Sequence, residues 1–174
     1  MSLLWDVSTV YSDVDGIYYK TPFIDRGNEA GLCWAGCEVA YAYSVGWLTD
    51  LSQSAKKVNE LGASPRRNDN FSGNLPMKNV VAKGQIDFNV VKKLLETAKA
   101  PIGAVFADKD GNEAHQILIT GVYVMGGNRY VSYYDPNKQL QTVKEYNEFC
   151  NYGDGKMLYQ IGIVDEDKIM KDYN

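Results

Sequence analysis

Two of the three cysteines in the 174-residue chain, Cys33 and Cys37, lie one helical turn apart in GLCWAGCEVAYAYSVGWL, at the start of its most apolar segment. If a helix begins at Gly31 or Leu32, Cys33 falls in its first turn. There, unsatisfied backbone N–H groups and the helix dipole favour a thiolate. Cys37, on the same face but deeper, reads as a small apolar core residue. A thiolate that attacks a carbonyl needs a partner to take up and return a proton, which is imidazole chemistry. His115 is the only histidine in the chain, and it opens the strand-like HQILITGVYV. If that strand turns at MGGN and returns as RYVSYYDP, Asp135 stands opposite a residue near Leu118. It is then roughly 10 Å along the strand from His115, at the open end of the same hairpin. A carboxylate there can accept the imidazole N–H and fix its tautomer. A register two residues different would give that task to Asn137. Read singly, each residue also has a plain structural use: a core thiol, a strand histidine, an Asp-Pro turn.

These residues need a helix and a hairpin to hold them. From Cys33 to Leu48 there is no proline, and small or apolar residues surround almost the whole helical circumference, which predicts a buried central helix. Thr49 and Asp50 can cap a second helix over Leu51 to Leu61. GASPRRNDNFSGN then reads as a long loop, a candidate groove wall. Asp87 is the expected N-cap of a third helix in FNVVKKLLETAKA, ended by Pro101. Upstream, GIYYKTPF is β-prone and DRGNEAG loop-like. Beyond Pro101 the pattern changes to PIGAVFA, AHQILITGVYVM, RYVSYYDP and MLYQIGIV, strands joined by turn-rich segments. Helices first and antiparallel strands second predict an α+β fold. One domain spans 1–174, with a helical half at about 20–100 and a β half at about 101–165.

Composition narrows the function classes. The net charge of −4, with Lys and Arg scattered apart from Arg66 and Arg67, offers no basic stripe for nucleic acid. No apolar run reaches the roughly 18–20 residues of a membrane span, and the N-terminus has no signal-peptide pattern. The compartment stays open, export with earlier removal of a signal included. Three cysteines are too few for a disulfide scaffold and leave at least one thiol free. Thirteen tyrosines, five phenylalanines and three tryptophans suit either ordinary packing or a groove for peptides or glycans. A zinc site from Cys33, Cys37, Cys150 and His115 is conceivable on ligand type, but no second His or Cys pair supports it.

GLCWAGC with Trp34 directly after Cys33, the helix that follows, the His115 strand start and YYDP together resemble the papain-like cysteine peptidases. The similarity is to compact bacterial branches, among them the bacteriocin leader-processing peptidases and staphopain-type enzymes, and it covers most of residues 20–165. The resemblance implies a cleft between a helical half and a β half, with Cys33 as nucleophile, His115 as general base and acid, and Asp135 as orienting residue. It implies a peptide or protein substrate and no metal or organic cofactor. His115 follows Cys33 by 82 residues, short of the roughly 130–150 of the plant-type and cathepsin enzymes, hence the compact branch. The glutamine expected six residues before the nucleophile is Gly27 here, which leaves Asn28 to donate to the oxyanion beside the Cys33 N–H. Two other readings remain: a catalytically silent module that binds peptide or cell-wall ligands, and a cysteine hydrolase or acyltransferase acting on non-peptide amides.

Overall fold

In a computed structural model, which describes residues 15–22, 24, 31–65, 75–137 and 140–174, strand β1 (Asp15–Tyr18) precedes helix α1 (Cys33–Ser44). Trp34, Ala35, Cys37, Val39, Ala40 and Ala42 are wholly buried, as the apolar circumference predicts. The helix stops at Ser44 instead of reaching Leu48, and Gly46 turns the chain away with a left-handed φ of 86°. Asp50 accepts the Ser52 N–H as expected, but the turn it caps is a 3₁₀ segment (Leu51–Gln53). The α-helical part, α2, runs Ser54–Ala63. Asp87 caps α3 (Phe88–Ala98), accepting the Val90 N–H at 2.9 Å, and Lys99 closes that helix in the left-handed region ahead of Pro101.

Strands β3 (Ile102–Ala107), β4 (His115–Met125) and β5 (Asn128–Asp135) fall in the stretches read as strands, as does the last strand, Lys156–Val164. Three more lie where no strand is expected: β2 (Met77–Ala82), β6 (Leu140–Glu145) and β7 (Asn151–Gly153), which makes the last strand β8. A short helix, α4 (Tyr146–Phe149), joins β6 to β7, and α5 (Glu166–Ile169) follows β8. The eight strands among the described residues form one antiparallel sheet in the order β2-β8-β3-β4-β5-β6, with β1 on β4 and β7 on β8. The fold is α+β, yet β1 and β2 join this sheet from the stretch before residue 101. Among the described residues, no helix is long and apolar enough to cross a membrane.

The sheet separates two apolar clusters. Leu118 and Tyr134 pack with α1 and with Val58 and Leu61 of α2, whereas Ile117, Ile119 and Tyr133 pack with Phe88, Val91 and Leu95 of α3. Along β4 this alternation breaks once. The hairpin begins with Met125 opposite Asn128, across a turn in which Gly126 and Gly127 have φ of 59° and 82°, the double positive φ that a two-residue hairpin turn requires. Gly121 stands opposite Ser132, but Ile119 stands opposite Tyr133, so Thr120 is an extra residue, a β-bulge. Its hydroxyl donates to Ser132 Oγ at 3.0 Å. At the neighbouring Gly121, β1 passes so close that a Cβ would come within 2.5 Å of the Ile17 carbonyl oxygen. The bulge moves Leu118 opposite Tyr134, not Asp135 as the unbroken register predicts. Val122 and Val124 thereby share the cluster of Ile117 and Ile119.

Candidate active site

Cys33 is the first residue of α1. Its N-cap, Leu32, has no side chain able to accept a first-turn N–H, so that end of the helix keeps its positive character. The thiol is free and half-buried. Burial pushes its pKa up, but a hydrogen bond and charge from His115 and the backbone N–H groups of Gln116 and Trp34 outweigh that, and the net shift is downward. Cys37 behaves oppositely. It is fully buried, its Sγ donates to the Gln116 carbonyl at 3.4 Å, and desolvation pushes its pKa well up. Cys150 is also pushed up by burial. Of the three thiols, Cys33 alone is shifted toward the thiolate.

His115 begins β4 opposite Phe106 on the edge of the α3-side cluster. Its Nε2 is 2.7 Å from Asp135 Oδ1, with the carboxylate 0% and the imidazole 5% exposed. Burial alone would lower the His115 pKa, but the hydrogen bonds and charges of Asp135 and Cys33 raise it to about 9. Burial would raise that of Asp135, and the His115 hydrogen bond and charge, the Asn137 N–H and the Tyr152 hydroxyl together lower it. The carboxylate is thus ionised and aimed at one imidazole nitrogen. With Nε2 engaged, Nδ1 is the nitrogen that faces the thiol, which makes Cys33 and His115 a pair able to hold a thiolate beside an imidazolium.

Cys33, His115 and Asp135, singled out in the sequence, therefore converge. Asn137 does not take the orienting role, which Asp135 fills. Its backbone N–H donates to Asp135 Oδ1 at 3.0 Å, and its side-chain nitrogen lies 3.3 Å from His115 Nδ1. Asn28 and Gly27 lie outside the described residues. The four groups considered as zinc ligands do not gather: among the described residues, no three His, Cys, Asp or Glu side chains are placed to hold a metal ion.

Two further residues belong to the site. Tyr152, in the short strand β7, has its ring 5.2 Å from the imidazole and 5.0 Å from Phe106, centroid to centroid, and its hydroxyl beside Asp135 and Asn137. Gln116 is wholly buried. Its Oε1 accepts the Leu75 N–H at 2.9 Å, and its Nε2 donates to the carbonyls of Ala104 and Ile117, both at 3.0 Å. This locks the backbone unit that touches both cysteines. The adjacency of Gln116 to His115 was the one sequence signal for it; nothing in NYG marked Tyr152.

The chain matches no family model, and no curated protein is significantly similar to it in sequence.

Proposed function

We propose that the chain is a cysteine peptidase of papain-like organisation that hydrolyses peptide bonds through a thioester. The reading rests on one observation above all. A free thiol with a lowered pKa, at a helix N-terminus, is hydrogen-bonded to an imidazole whose other nitrogen is held by a buried carboxylate. Structural cysteines and histidines have no need of that arrangement, whereas nucleophilic catalysis does.

In the proposed cycle the Cys33 thiolate attacks the scissile carbonyl carbon. A C–S bond forms as the carbonyl electron pair moves to oxygen, where N–H groups of the α1 first turn stabilise it. Collapse reforms the carbonyl and expels the amine, which takes the proton from His115 Nδ1. Neutral His115 then removes a proton from water as the oxygen attacks the thioester, and Cys33 leaves as thiolate to give the carboxylic acid product. Throughout, Asp135 holds Nε2–H and keeps the ring turned toward the sulfur. Side chains and water complete the reaction, and the thiol must be reduced to begin it.

The test is turnover of a broad peptide library under reducing conditions by wild-type and Cys33→Ala protein. Cleavage by the first and none by the second is the expected outcome. Thioester formation on small amides without peptide cleavage would assign the same groups to a different acyl transfer.

A further inference from the structure

A cavity of about 500 Å³ opens between the end of β3, the start of β8, the turn after β2 and the C-terminal end of α4, a volume typical of small-molecule sites. Cross-strand pairing places it relative to the imidazole. Phe106 stands opposite both His115 and Leu158, and Leu158 lines the cavity. Two strand spacings, about 10 Å, therefore separate the cavity from His115 on the same sheet face.

Two features of the lining call for different parts of one ligand. The walls, from Ile86, Ala107 and Leu158, are apolar, and Met157, 61% exposed, offers an adaptable apolar lip. Lys83 and Lys109 both line the cavity. Lys83 is held by donating to the Lys109 carbonyl at 2.6 Å and by the Tyr159 ring. Neither lysine is in an ion pair among the described residues. The nearby Asp108 accepts the N–H groups of Asp110 and Asn112 on Oδ1, within its own loop. Tyr146, only 6% exposed, adds its ring to the apolar walls, and its buried hydroxyl is paired with the Cys150 thiol.

We propose that this cavity binds the C-terminal residue of an apolar peptide. The side chain lies against the apolar walls, and the carboxylate is held by Lys83 and Lys109. The proposal does not rest on the hydrolase reading, because occupancy can be read with the thiol of Cys33 removed.

Cys150 lines the same cavity and reports on it. In Cys33→Ala protein, N-acetyl-leucyl-leucine should slow modification of Cys150 by a small thiol reagent saturably, by the factor 1 + [L]/Kd. The C-terminal amide of the same peptide should need a roughly tenfold higher concentration, since it forfeits a charge-assisted hydrogen bond. Lys83→Met with Lys109→Met should erase the difference between acid and amide. Because the acid–amide comparison needs no cavity variant, a folding defect in that double variant leaves the decision intact. Equal protection by acid and amide, or none by either up to the solubility limit, overturns the proposal.

Discussion

The side-chain nitrogen of Asn137 sits 3.3 Å from His115 Nδ1, the ring nitrogen that Asp135 leaves free. Asn137 is exposed, so it stands on the solvent side of the pair. An amide can donate to a neutral Nδ1 or, turned over, accept from an imidazolium, and it therefore suits both protonation states. Asn137→Ala should change kcat/KM by only a few-fold, an effect on the scale of one ordinary hydrogen bond. Asn137→Asp should instead raise the alkaline limb of the pH–rate profile, since a second carboxylate favours the imidazolium. An unshifted limb in Asn137→Asp would mean that this side chain does not face the imidazole in solution.

The pH–rate profile of the wild type should be bell-shaped. Activity rises as Cys33 ionises through its lowered pKa and falls as His115 loses its proton near 9, with both limbs belonging to the coupled pair. Iodoacetamide labelling tests the acid limb directly. Cys33 should react near pH 5–6, well below the free-thiol pKa of about 8.5, while Cys37 should resist until unfolding. Equal rates at all three cysteines would remove the thiolate from the argument.

Asp135→Asn should retain part of the activity, because an amide oxygen can still accept Nε2–H, while Asp135→Ala should lose more by freeing the ring to rotate. The carboxylate also makes a signed prediction about stability. Its folded pKa is lowered, so its contribution is present above the unfolded value of about 3.9 and is lost as pH falls through the lower folded value. Urea denaturation of Asp135→Asn should therefore depend less on pH below about 4 than that of the wild type.

Trp34 and Cys33 are neighbours with separable tasks. Trp34 is wholly buried in the α1-side cluster, and Trp34→Ala should cost about 3–5 kcal/mol in chemical denaturation. Cys33→Ala, at the half-buried first turn, should leave the unfolding midpoint nearly unchanged while abolishing turnover. A large loss of stability in Cys33→Ala would make its inactivity uninformative about catalysis.

Much of this was legible in the sequence because local signals agreed with the packing. The apolar circumference after Cys33, the Asp87 cap and the hairpin around Gly126 and Gly127 each carry their own physical reason. Strand β2 was not legible: most of its residues are exposed, Asn79 is left-handed with φ 54°, and its register slips between Lys78 and Val81, so no period of two exists to be read. Tyr152 reaches the site through the pairing of β7 with β8 and of β8 with β3, and Gln116 is locked by Leu75 and Ala104 from elsewhere in the chain, contacts that a single sequence does not display.

The extra residue at Thr120 makes the His115–Asp135 pair a matter of odd and even. Counted straight back from the glycine turn, Asp135 would stand opposite Leu118, and His115 would fall on the other face of the sheet, away from the carboxylate. One surplus residue exchanges the parity of everything between Thr120 and the strand's start, and Asp135 then falls on the face of Ile117 and His115. A single codon lost from the middle of β4 should disconnect the imidazole from its carboxylate. The spacing between turn and dyad is thus under a constraint of number as well as of residue type.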